Sequence, residues 1–228
     1  MTELIFPEIR GGPVSIDTEG EDKGLQQGIG PGWAWSGGGE VCGISFHFPE
    51  SINPETNEPY NFYASFGHIE DNNCDKKKAF QYTVDILSNP EFKVNFANSI
   101  FDLGWIRRET LNLGFEFSTD RLFDDVLLMA PLIDELKHQY SLDSLSLEYL
   151  DRRKDERGLE EFAAKRGWKT YKDKMKYIPG GIVGTYANID TQLTSGLRYH
   201  FDPLMHEHDL WNVYRLEQRL VPLLLQMR

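Results

Sequence analysis

Val14-Ser15-Ile16-Asp17-Thr18-Glu19-Gly20 alternates in character along the chain. Side chains on an extended strand point to opposite faces in turn, so Val14 and Ile16 share one face while Ser15, Asp17 and Glu19 share the other. Two carboxylates therefore aim the same way. Held side by side at a sheet surface they repel each other and resist desolvation, so they persist only if protonated, solvated or neutralised by a cation. A hard divalent metal is one such neutraliser, and it calls for further acids from elsewhere in the chain. The stretch also reads as the polar end of a strand entering a turn.

Outward from that strand, residues 24–40 are rich in glycine and read as a long turn. They do not form a nucleotide-binding fingerprint, because Gly28-Ile29-Gly30-Pro31-Gly32 sets a proline where a helix should start. Trp33 and Trp35 in this segment fit either base stacking or a lid on the core. Residues 41–48 and 61–66 read as strands, so the chain opens with an antiparallel meander. A helix over 75–88 carries Phe80, Val84 and Leu87 on one side, a strand follows over 93–97, and a helix over 99–111 carries Phe101, Trp105 and Ile106. Residues 126–133 fit a buried strand or a helix. Helical patterns then cover 142–150, 159–165 and 182–201. Residues 210–228 carry Val213, Leu216, Leu220, Leu223 and Met227 at helical spacing, with Pro222 expected to kink the helix. A stripe running to the last residue points to a continuing polypeptide or to packing on a partner. The order predicts an α/β or α+β domain with a central mixed sheet.

A chain of 228 residues supports one well-buried domain. The longest apolar run, residues 126–133, is too short for a bilayer, and Met1-Thr2-Glu3-Leu4 lacks a basic signal region, which predicts a soluble, intracellular protein. Cys42 and Cys74 match no zinc or redox spacing and are expected as free thiols. The net charge of −12 weighs against a broad nucleic-acid-coating surface. It is compatible with an acidic, metal-filled cleft that admits a short polynucleotide end, since bound cations invert the local field. Two basic runs, Arg152-Arg153-Lys154 and the lysines and arginine between Lys165 and Lys176, read as solvated faces. His206-Glu207-His208 has no third ligand and reads as surface.

Two later segments place further acids. In Asn98-Ser99-Ile100-Phe101-Asp102, Asn98 can cap a helix and Asp102 falls in its first turn, near the exposed N–H groups. In Tyr186-Ala187-Asn188-Ile189-Asp190, residues four apart project from one helix face, so Tyr186 and Asp190 can share a cleft.

Taken in order, Asp17-Thr18-Glu19, Asn98 to Asp102 with Leu103-Gly104-Trp105, and Tyr186 to Asp190 resemble the three motifs of the DEDD superfamily of 3′–5′ exonucleases, which has an RNase H-like fold. Thr185 stands where the histidine variant has its histidine, so the match is to the tyrosine variant. Leu122-Phe123-Asp124, Leu132-Ile133-Asp134-Glu135, Tyr140 to Leu145, Arg153-Lys154-Asp155-Glu156 and Val183 to Tyr186 further resemble the proofreading domain of family A DNA polymerases, especially phage-encoded ones. Leu216-Glu217-Gln218-Arg219-Leu220-Val221-Pro222 resembles the helix that leads from that domain to the polymerase.

The resemblance implies an exonuclease domain over 1–208, a connecting helix over 209–228, and either an excised domain or a free-standing relative, at work in a bacterial host's cytoplasm. It implies two divalent ions, Mg²⁺ or Mn²⁺, with Asp17 bridging both, Glu19 and Asp190 completing the nucleophile-side ion, and Asp102 holding the other, partly through water. Tyr186 would orient the attacking water. The implied substrate is the 3′ end of single-stranded or frayed DNA, with a DNA polymerase domain as partner in cis or trans. Asn98 and Phe101 would contact substrate. A family leucine wedges between terminal bases; Lys23 occupies that spacing here and Leu25 lies two further on. Two rival readings are an RNA-trimming nuclease of the same superfamily and a catalytically silent module on a polymerase.

Overall fold

In a computed structural model, residues 3–115, 118 and 121–227 are described. Five strands, β1 (Gly12–Asp22), β2 (Gly39–Ile52), β3 (Pro59–Ser65), β4 (Phe92–Phe96) and β5 (Asp124–Asp125), form one sheet in the order β3-β2-β1-β4-β5. The first three pair antiparallel, as short connections allow, and β4 and β5 add in parallel. Parallel neighbours need crossovers. Helices α2 (Lys76–Ser88) and α3 (Ser99–Leu113) provide them. Between β1 and β2 lies the short α1 (Lys23–Gln27). Beyond β5 the chain is helical: α4 (Val126–Ile133), α5 (Leu142–Leu150), α6 (Arg157–Lys165), α7 (Gly180–Glu207) and α8 (Trp211–Gln226). This is the expected α/β architecture with a mixed sheet.

The alternation in β1 divides the molecule. Val14 and Ile16 bury into an apolar cluster with Phe46, Phe80, Leu87, Val94, Phe96, Trp105 and Ile106, between the sheet and α2 and α3. The opposite face receives α7, which contacts four strands. There the contact is polar. Ser15 Oγ lies 2.7 Å from Ser195 Oγ, which lies 2.8 Å from His47 Nδ1. Asn95 Nδ2 donates to Thr194 O at 3.1 Å. Although Asn95 Oδ1 stays buried without a partner, breaking these bonds would leave further buried polar groups unsatisfied, so they restrict how far α7 slides along the sheet. Farther along α7, Leu193, Leu197 and Phe201 join Val126, Met129, Leu145 and Tyr214 in a second cluster that gathers α4, α5 and α8.

The expected long turn over 24–40 is more ordered than its composition implied. Asp22 accepts from Leu25 N at 2.9 Å, capping α1, and from Gly32 N at 2.8 Å and Trp105 Nε1 at 3.2 Å. Trp33 packs on Gly104 of α3, where a Cβ would come within 2.3 Å of the indole, so of its two expected roles Trp33 takes that of a lid on the core. Trp35 stays partly exposed. Residues 126–133 are a helix, because Val126, Met129 and Ala130 bury at three-four spacing. Asn98 sits at the N-cap position of α3 with φ of 81° and makes no side-chain cap bond. The cap comes instead from Asp125, which accepts from Asn98 N at 3.1 Å and Ser99 N at 2.6 Å.

Helix α8 docks through Tyr214, Gln218 and Leu225, leaving Val213, Leu216, Leu220, Leu223 and Met227 exposed. It runs through Pro222 to Gln226, and the expected end at Arg228 lies outside the described residues. Both cysteines are free thiols, and His206, Glu207 and His208 are exposed. No helix among the described residues is long and apolar enough to cross a membrane.

Candidate active site

One carboxylate oxygen each from Asp17, Glu19 and Asp190 lie within 4.8 Å of one another. Strand alternation brings the first two together, and the polar seam under α7 sets the third against them. The β1–β2 register shifts between Glu19 and Gly20, a bulge that re-aims the strand beside the acids. Gly20 permits the close approach that follows, since a Cβ there would meet Glu40 O at 2.3 Å. Asp102 comes from the first turn of α3. Its Oδ1 accepts from Thr18 N at 2.9 Å and Thr18 Oγ1 at 2.7 Å, so it adjoins the strand between Asp17 and Glu19 and lies outside the group of three.

Burial, then repulsion from Asp190, raises the Asp17 carboxyl from 3.8 to about 7, against the pull of Lys154. Glu19 and Asp102 stand well above the usual carboxylate range, first through burial and then through Asp17. Asp190 is raised by burial and lowered by Lys154. The Tyr186 hydroxyl is held well above 10, first by burial and then by Glu19 and Asp190. It therefore keeps its proton at neutral pH and serves as a hydrogen-bond donor.

The donors fit a hard divalent cation. They are all carboxylate oxygens, and Asp190 Oδ1 is buried without a hydrogen-bond partner. Such a group costs free energy unless a donor or cation reaches it.

Lys154 is the residue that the sequence reading missed. It lies on the connection between α5 and α6, and its Nζ contacts Asp190 Oδ2 and donates to Tyr186 OH at 3.0 Å. Burial alone would lower its pKa, but Asp190, Asp17 and Glu19 together raise it. One of the two basic runs thus sends a cation inward. The only signal for this was the run itself, which Lys165 to Lys176 share without reaching the cluster. Of the three substrate-contact candidates, Leu25 on α1 and Asn98 are exposed, and Phe101 is half-buried against the main core. None of the three belongs to the carboxylate group.

This sheet order, with a long helix crossing its acidic face, is the RNase H-like fold, and the motif order resembles the DEDD superfamily in its tyrosine form. No family model matches the chain. In sequence it is similar to a DNA-directed DNA polymerase of Pseudomonas phage M6, 29% identical over 223 residues that make up 94% of this chain and 30% of the polymerase. In structure it is similar to Brucella melitensis NrnC bound to pGG, with a TM-score of 0.62 at 12% identity, covering 96% of this chain and 85% of that one. It is also similar to Escherichia coli RNase D, an exoribonuclease involved in structured RNA processing, with a TM-score of 0.55 at 12% identity over 94% of this chain and 45% of that one. The chain spans less than a third of the length of the curated relatives it matches.

Proposed function

We infer that this chain is a metal-dependent 3′–5′ exonuclease that removes nucleotides from single-stranded or frayed DNA ends, as a proofreading domain does. The observation that carries this reading is the convergence of Asp17, Glu19 and Asp190, with one Asp190 oxygen buried and unpartnered. Similarity to phage DNA polymerases favours DNA as substrate and a polymerase as partner, in cis or trans, within the cytoplasm of an infected bacterium. Residues 1–208 would then form the nuclease domain and 209–228 the helix leading toward the polymerase.

Asp17, Glu19 and Asp190 would hold the cation nearest the attacking water, and Asp17 with Asp102 a second one. When bound, two such divalent ions, Mg²⁺ or Mn²⁺, would supply a water of lowered pKa and neutralise charge on the phosphate. The chain's own part is positional. Thr18 fixes Asp102 through two hydrogen bonds, and the protonated Tyr186 hydroxyl beside Asp190 can orient a water without acting as its base. Leu25, Asn98 and Phe101 remain the candidates for contact with the terminal nucleotides.

A second reading makes RNA the substrate, favoured by the structural similarity to RNase D. Matched DNA and RNA oligonucleotides, labelled at the 5′ end and incubated with Mn²⁺ with and without chelator, separate the readings. We expect a ladder shortening from the 3′ end, faster on DNA and abolished by chelator. A faster ladder on RNA selects the second reading, and no ladder on either in Mn²⁺ refutes both.

A further inference from the structure

Lys154 occupies an unusual place for a lysine. Its side chain is only 20% exposed, and its ammonium contacts the Asp190 carboxylate, itself 4% exposed. The same ammonium reaches Tyr186 OH at 3.0 Å and stands 5.1 Å from the centre of the Tyr186 ring. It therefore meets the third motif at both of its functional side chains. Yet it satisfies only one oxygen of Asp190, because Oδ1 remains buried and unpartnered. A compact ammonium with three donors is a point charge that can neutralise part of a carboxylate cluster, but it cannot bring several carboxylates to one centre as a divalent ion does.

The backbone around Lys154 allows it to leave. Residues 152–156 have no helix or strand conformation, and Lys154 N is tied to Asp143 Oδ1 at 3.1 Å. The side chain can thus swing while its backbone stays anchored. Beside it lies a groove of about 750 Å³ lined by Asp143, Arg153, Lys154, Glu156, Glu160 and Lys172, among others. Glu156 and Glu160 offer carboxylates to receive the displaced ammonium in a wetter setting.

We propose that Lys154 is a resident counter-cation that fills the charge requirement of Asp190 in the metal-free protein and must be displaced into this groove when a divalent cation enters. The inference rests on the cation-site reading of the cluster. Lys154 keeps the carboxylate cluster, two of its three members buried, tolerable during folding and before metal arrives, and it sets a threshold that the metal must overcome. Metal affinity is correspondingly weaker than the carboxylates alone would give.

Two measurements test this without reference to turnover. In the wild-type protein, the rate of acylation at Lys154, read by mass spectrometry after a short pulse of an amine-reactive ester, should rise several-fold on adding saturating Mn²⁺. A rate unchanged by saturating Mn²⁺ overturns the proposal. In calorimetric titration with Mn²⁺, Lys154→Met should bind about tenfold more tightly than wild type, as expected for removal of one contacting positive charge in a partly screened site. Lys154→Arg, which keeps the charge, should not gain affinity. A Lys154→Met protein that folds only with Mn²⁺ present also supports the role, whereas equal or weaker Mn²⁺ binding by a folded Lys154→Met overturns it and leaves the metal site standing. Absence of Mn²⁺ binding by wild type and both variants overturns the cation-site reading together with this one.

Discussion

Asp17 is one of the acids on which charge is expensive to hold. Its carboxyl is raised from 3.8 to about 7 by burial and by Asp190. An acid whose folded pKa exceeds its unfolded value stabilises the fold fully below the unfolded value, and that contribution is lost as pH rises through the folded value. In chelator, Asp17→Asn, which mimics the neutral acid, should match wild type near pH 4 and gain on it up to about pH 7. The gain at neutral pH should be on the order of 4 kcal/mol. That corresponds to roughly 10 °C in Tm for a chain of this size. His47, lowered to about 4 by burial and Arg152, loses stability as pH falls from 6.5, but it does so in both proteins and cancels in the difference. Scanning fluorimetry across this range is the check, and a pH-independent difference would remove the link to Asp17 ionisation. The variant should also lose Mn²⁺-dependent nuclease activity by several orders of magnitude. The acids themselves were readable in the sequence, since strand alternation and helix spacing are local. Lys154 was not, because nothing near it in the chain distinguishes a lysine that meets Asp190 across the fold from one in water.

At the scale of elements, periodicity located the strands and helices but not what holds their ends. Asn98 has the right chemistry and position to cap α3, yet its left-handed backbone makes no cap bond. Asp125 does so from β5, and its Oδ1 also accepts from Leu127 N at 2.9 Å, capping α4. One carboxylate thus terminates two helices, and one of these presents Asp102. A cap supplied across a sheet is invisible to a reading made along the chain. Asp125→Ala leaves three backbone N–H groups without an acceptor, so it should cost about 2–3 kcal/mol in urea unfolding. It should also reduce activity by releasing the first turn of α3. A loss below about 0.5 kcal/mol would mean that water replaces the carboxylate at no cost. The same limit on local reading explains residues 24–40, whose glycines suggested a slack turn until Asp22, Trp105 and Gly104 were seen to order it.

Over the whole molecule the net charge of −12 opposes a polyanionic substrate at long range. On the proposed function, attraction would therefore be local, supplied by cations held at the carboxylates and the few basic groups near them. The groove beside Lys154 illustrates the balance: Arg153, Lys154, Arg157 and Lys172 share its walls with Asp143, Asp155, Glu156 and Glu160. On the proposed function, such a mixed lining would hold the last one or two phosphates of a strand and would not form a continuous basic track for more. Release of counterions from single strands contributes a slope of about −0.7 in log affinity against log salt for each phosphate neutralised. The slope of log(kcat/KM) for a single-stranded oligonucleotide between 50 and 200 mM KCl, at fixed Mn²⁺, should thus be shallow, between about 0 and −1.5. Lengthening the oligonucleotide beyond a few nucleotides should leave it unchanged, because the net negative charge gives phosphates farther from the 3′ end no long-range attraction. A slope steeper than about −3 that grows with length would require an extended phosphate-binding face, and it would refute the view that substrate is held only at its end.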